Sequence, residues 1–307
     1  MIRASIDIGS NTVLLLVAEV EGLLVKRELL NCSEVTALGK DLDKTHHFAQ
    51  ESMDESYKAL LQYKNKLAEI NVLPQDVLVT ATEASRVAKN SSLFFQKIKQ
   101  ELGFGVTIIS AQGEAHYSAM GAAIDLKGDQ AVVMDIGGAS TELIKVNLKP
   151  FQIIDFISMP IGSVRGTDWL KENIFDQKIE EVFERFKDKL PIFQTDTLCC
   201  VAGTLTSVAN IYHDKKVFDE EAVHGTKLTV EDFSLLIKKY KALKPEELLA
   251  RYPFLGKRSK TIVAGSYVGE LVAKKIAVKT LEISTYGLRY GTLIEGSIHA
   301  KFIVKQY

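Results

Sequence analysis

The chain has 307 residues, of which 46% are hydrophobic and 25% charged, with a formal net charge of −1. That length is large for a single core and suits two domains, and the composition excludes disordered and fibrous classes. No apolar run reaches the roughly 18 residues of a membrane helix, and Cys32, Cys199 and Cys200 form no CxxC pair. With no basic-then-apolar leader either, the expectation is a reducing, cytoplasmic setting without membrane contact.

Residues 2–8 and 12–20 predict strands joined at Gly9-Ser10-Asn11, and 22–31 a third strand. From 48 to 70, Met53, Tyr57, Leu60, Leu61, Leu67 and Ile70 recur at helical spacing. Short apolar runs at 76–82 and 105–110 predict buried strands, with a helix over 92–102 between them and another over 113–124. Near Gly128 the pattern restarts: strands over 130–136, 140–146 and 151–158, a helix around 179–190, a strand at 197–203, then mainly helix. Strands alternating with helices indicate α/β architecture. The restart indicates a duplicated domain rather than a solenoid of short repeats. The expected division is 1–124 and 125–307, with a cleft between two similar hairpins.

Those hairpins are "IDIGSNTVLLLVA" (6–18) and "MDIGGASTELIKV" (134–146), with Asp7 and Asp135 lying 128 residues apart. Gly9, Gly137 and Gly138 permit positive φ and let backbone N–H groups approach a ligand. Ser10, Asn11, Thr12, Ser140 and Thr141 add polar donors, and a concave donor set suits phosphate. Asp7 and Asp135 at the strand ends would repel that phosphate unless a cation lay between them. Mg²⁺ fits, because it favours carboxylate, phosphate and water oxygens. A tight turn alone would explain one copy; two copies in register argue for a metal–phosphate site.

The two hairpins resemble the phosphate loops of the actin/Hsp70/sugar-kinase superfamily, and within it the exopolyphosphatase/guanosine pentaphosphate phosphohydrolase (Ppx/GppA) family. "ATEASR" (81–86), "IISAQGEAHYSAMGA", "PIGSVR" (160–165), "VAGTLTSVA" (201–209), "VHGTKLT" (223–229) and "YGLRYGTL" (286–293) resemble its further motifs in order. The resemblance implies two ribonuclease H-like domains with the active site in their cleft, and a last helix, about 294–307, packing back on the first domain. It implies hydrolysis of terminal phosphate from polyphosphate or from guanosine pentaphosphate with Mg²⁺ or Mn²⁺, no nucleic-acid duplex partner, and leaves a homodimer open. The chain departs from the family at Gly113, where a second acidic residue is usual, and at Ala139, where a third glycine is usual. It also ends where long members carry a C-terminal HD-like domain, so it resembles the short form.

The resemblance also assigns roles. Glu114, opening a helix, takes the position of the base; a plain helix-start glutamate would instead only complement the dipole. Arg86 takes that of a phosphate clamp, its alternative being a surface ion pair. Asp7, Asp135 and Glu142 are the metal-side carboxylates, although Glu142 equally suits a strand-edge charge. Ser10, Asn11, Thr12, Gly137, Gly138, Ala139 and Ser140 form the phosphate loops, and Gly203 and Thr204 add donors at a helix start. Arg165 suits phosphate contact or inter-strand packing. His116 and His224 suit structural roles. Of the 38 Lys and Arg residues, 17 lie in 205–307, beside 11 of the 39 acidic residues. That imbalance suits a polyanion, or solvated helix faces. Two rival functions remain: an ATP-dependent kinase of the same superfamily, for which "AGTLTS" lacks the fuller adenosine-binding glycine run, and a non-catalytic alarmone or polyphosphate sensor.

Overall fold

The structure, a computed structural model, describes all 307 residues. The chain divides into two units, Met1–Ile124 with Leu288–Tyr307, and Asp125–Gly287.

The first unit is built on β1 (Ile2–Ile8), β2 (Thr12–Glu21), β3 (Leu24–Val35), β4 (Val77–Ala81) and β5 (Val106–Ile109). The second contains β6 (Gln130–Ile136), β7 (Thr141–Leu148), β8 (Phe151–Met159), β9 (Thr197–Val201), β10 (Lys227–Thr229) and β11 (Thr280–Ile283). The chain then returns to the first unit and ends in β12 (Ile303–Gln306). The sheet orders are β12-β5-β4-β1-β2-β3 and β10-β11-β9-β6-β7-β8. In each, a three-strand antiparallel meander continues into parallel strands and closes on an antiparallel edge. The α/β duplication is therefore realised strand for strand.

Both faces of the central strands are covered, so they run continuously apolar rather than alternating. On β1, Ala4, Ile6 and Ile8 enter the main core of the first unit. Ser5, on the opposite face, shares a 2.6 Å hydrogen bond with Thr292. Helix Gln50–Glu69 buries Ser52, Ser56, Ala59, Leu60, Tyr63 and Leu67, the stripe expected of a 3.6-residue period. Tyr63 spans the core and donates to the Val13 carbonyl at 2.8 Å. Cys199 and Cys200 are buried on β9, and burial pushes both thiols up in pKa.

The returning segment differs from expectation. It begins at Leu288, and its helix is Leu288–Glu295 rather than 294–307. Residues 303–306 form β12 instead, antiparallel to β5. The helix fits because Gly291 has no side chain: a Cβ there would lie 1.9 Å from the Tyr117 carbonyl oxygen. Arg3 on β1 binds the Leu293 and Ile294 carbonyls, satisfying acceptors at the helix end. Strands β10 and β11 were also not anticipated; both lie within the stretch read as mainly helical.

Candidate functional site

In the first unit the expected phosphate loop is the turn between β1 and β2. Gly9 N–H donates to the Thr12 carbonyl at 2.9 Å. Ser10 and Asn11 are buried because the chain after β3 folds over them, with Gly39 N–H donating to Ser10 O at 2.7 Å and Thr36 N–H to Asn11 O at 3.0 Å. Asp7, half-buried, is the penultimate residue of β1, beside this turn.

The expected clamp and base are brought together. Glu114 sits in the first turn of helix Ala111–Ala122, whose start is capped by Ser110 Oγ accepting from Gly113 N–H at 3.1 Å. It is 8% exposed, and Arg86 Nη2 donates to its carboxylate at 2.9 Å. The same nitrogen donates to Glu83 at 2.9 Å, and Nη1 to the Ile109 carbonyl at 2.7 Å. Burial opposes the guanidinium charge, but the charges of Glu114 and Glu83 outweigh it and hold the Arg86 pKa above its ordinary value. Three of five guanidinium N–H groups are thus engaged, leaving Nε and one Nη1 hydrogen for a further acceptor. The glycine preceding Glu114 also has a cause: a Cβ on Gly113 would lie 2.8 Å from Phe302 Cβ of the returning segment.

The second unit repeats the turn. Gly137 N–H donates to the Ser140 carbonyl at 3.0 Å. None of Gly9, Gly137, Gly138 or Ala139 has positive φ, which corrects the expected reason for these glycines. Close approach is the requirement instead, since a Cβ on Gly9 or Gly137 would lie 3.3 Å from the Thr12 or Ser140 oxygen. Ala139 fits because its position demands no left-handed backbone. Helix Ser163–Lys171 docks its first N–H groups on this turn: Ser163 N–H on Gly137 O at 2.9 Å and Val164 N–H on Gly138 O at 2.8 Å. Gly162 makes the docking possible, because a Cβ there would be 2.6 Å from Gly137 O. Arg165 binds the Ala139 carbonyl, so its guanidinium supports the turn, and it lies on a helix rather than between strands.

Asp135 and Glu142 are direct partners across β6 and β7. Glu142 is only 1% exposed. Ser158 Oγ donates to Glu142 at 2.6 Å. Two carboxylates on one face, one deeply buried, suit a hard divalent cation.

Gly203 and Thr204 open helix Ala202–Tyr212 directly after β9. Ala202 turns the chain there with φ 70°, a left-handed conformation that is costly for a residue with a Cβ. Arg258 was not anticipated at this site. Its guanidinium lies against Gly203, where a Cβ would meet Nη2 at 2.5 Å, and Nη1 donates to Ser207 Oγ at 3.1 Å. With no carboxylate partner, burial brings its pKa down to about 10. The signal in the sequence was a lone arginine in a basic stretch, which does not reveal that it reaches a helix start more than fifty residues away. His224, by contrast, is accounted for locally: its Nε2 pairs with Asp125, and its Nδ1 accepts from Thr285 N–H at 3.2 Å.

No helix of the structure is long and apolar enough to cross a membrane. The model of the Ppx/GppA phosphatase family matches residues 17–298. The chain is 29% identical, over 96% of its length, to a bifunctional 3-dehydroquinate synthase/phosphatase of Fusobacterium nucleatum, of which it spans 46%. It is 27% identical to exopolyphosphatase 2 of Mycobacterium tuberculosis, covering 89% of this chain and 90% of that one. A crystal structure of the Aquifex aeolicus Ppx/GppA family member superposes with a TM-score of 0.74 at 29% identity, over 96% of this chain and 97% of the other. With its two actin-like α/β units and a match over most of its length, the chain belongs to the Ppx/GppA phosphatase family.

Proposed function

We propose that this chain is a metal-dependent phosphohydrolase that removes the terminal phosphate from inorganic polyphosphate or guanosine pentaphosphate. The observation that carries the reading is the buried Arg86–Glu114 pair, which sets a carboxylate and a guanidinium with free donors side by side. The family and the mycobacterial exopolyphosphatase support the substrate class.

In this reading a water oxygen attacks the terminal phosphorus, the bond from phosphorus to the bridging oxygen breaks, and the shortened chain leaves with that oxygen. Glu114 accepts the water proton, and Arg86 offers its remaining N–H groups to the phosphate. The Gly9–Thr12 and Gly137–Ser140 turns, Thr204 and Arg258 supply further phosphate donors. Asp135 and Glu142 are suited to hold Mg²⁺ or Mn²⁺, with Asp7 as the corresponding carboxylate of the first unit. When bound, that ion supplies positive charge to the phosphoryl oxygens.

Phosphate release from long-chain polyphosphate and from guanosine pentaphosphate, assayed side by side, tests this. The expected result is release from at least one substrate, lost on chelation and restored by Mg²⁺ or Mn²⁺. Binding of either polyanion without turnover at any metal concentration would overturn hydrolysis in favour of a sensor.

A further inference from the structure

His116, Glu295 and His299 offer three ligand atoms that all lie within 4.8 Å of one another. His116 comes from helix Ala111–Ala122, and the other two from the returning segment, 179 or more positions away in the chain. After Glu295 the chain turns at Gly296, φ 77°, and brings His299 Nε2 back to 2.8 Å from Glu295 Oε1. The rings of His116 and His299 stand nearly perpendicular, with centroids 5.9 Å apart.

We infer that these three residues form a binding site for a borderline transition-metal ion of the Zn²⁺ class. Two imidazoles and one carboxylate make a ligand set that Zn²⁺ uses where it keeps an open coordination position. Imidazole donors select against Mg²⁺, which prefers oxygen, so this site differs in kind from the carboxylate pair on β6 and β7. A tetrahedral ion with bonds of about 2.0–2.1 Å spaces its donors about 3.4 Å apart. Binding an ion therefore requires the ligand atoms to draw together by up to about 1.4 Å.

The supports around the ligands are built. Tyr117 Oη accepts from His299 N–H at 2.9 Å and donates to the Ser297 carbonyl at 3.3 Å, tying the His299 loop to the helix that carries His116. Phe302 packs on both imidazoles, at 5.0 Å from His116 and 5.9 Å from His299. His299 is exposed and provides the route of entry. A bound ion would cross-link the returning segment to the helix that bears Glu114, adding a tie between parts of the first unit that are distant in sequence.

The test uses the full chain, stripped of metal and titrated with Zn²⁺ against a chromophoric competitor, with unfolding temperature followed in parallel. The expected result is one Zn²⁺ per chain and a raised unfolding temperature. Loss of even an outer-shell partner costs about 10–100-fold in metal affinity, so His299→Ala and Glu295→Gln should each cost at least about tenfold. His299→Ala changes an exposed side chain, and an unchanged far-UV spectrum would exclude misfolding as the cause. Failure of the wild-type chain to bind Zn²⁺, or equal affinity in wild type and His299→Ala, would overturn the assignment.

Discussion

The turn between β1 and β2 and the turn between β6 and β7 share their main-chain hydrogen bond, 2.9 Å from Gly9 and 3.0 Å from Gly137. Across the two hairpins the side chains part company: Leu14 faces Asp7, whereas Glu142 faces Asp135. The arginines diverge in the same way. Arg86 is held by two carboxylates and its pKa rises, while Arg258 meets only a serine hydroxyl and its pKa falls to about 10. The lesson is that the duplicated loop is kept by its glycines and their backbone bonds, which leave the side chains beyond the turn free to differ, so each copy could specialise. The first unit carries a compensated base–arginine pair. The second carries two opposed carboxylates, of which Glu142 accepts from Ser158, and a buried guanidinium whose pKa is lowered by burial alone.

The strongest test of this division is Glu114→Gln. Removing the basicity while keeping the size should lower kcat by about two to four decades with little change in KM. Near-normal turnover would move the base to the second unit.

Next come the two arginines. Losing a charge-assisted contact costs about 1.5–3 kcal/mol, so Arg86→Ala and Arg258→Ala should each reduce kcat/KM by roughly tenfold to a hundredfold. They should differ in the absence of substrate. Phosphate should stabilise wild type by relieving the uncompensated charge of Arg258, and Arg258→Ala should abolish that thermal shift while Arg86→Ala retains most of it. Equal loss in both variants would erase the contrast.

A smaller effect is expected from Glu142→Gln. The variant should need more Mg²⁺ for half-maximal activity, because a carboxylate suited to the ion is gone. An unchanged Mg²⁺ requirement would remove Glu142 from the metal side.

The smallest effect concerns His224, whose pKa is raised first by its hydrogen bond to Asp125 and then, against the cost of burial, by the charges of Asp125, Glu220 and Glu282. A folded-state pKa above the unfolded value contributes stability that is complete below about pH 6.5 and is lost as pH rises through the folded-state value. Denaturant titrations from pH 6 upward should show this decline, of less than about 1 kcal/mol for a partly exposed pair. Asp125→Asn should flatten it.

Much of this was legible in the sequence because it is local. The hairpins, helix Gln50–Glu69 and the strands β4 and β9 follow from hydrophobic period and turn residues, and the duplication follows from repetition of that pattern. The motifs around Arg86, Glu114 and Asp135 could be named from short segments through their resemblance to a family. Tertiary structure alone decided what depends on partners distant in the chain. Strands β10, β11 and β12, of three or four residues each, exist only because a neighbouring strand accepts their hydrogen bonds, so 303–306 became an edge strand on β5 rather than the end of a helix. Gly113 gives way to Phe302, Gly203 to Arg258 and Gly291 to the Tyr117 backbone, each a contact with no local signature. The cluster of His116, Glu295 and His299 is of the same kind. Periodicity reports which face of an element is buried, whereas which side chains meet there is set by how the chain returns.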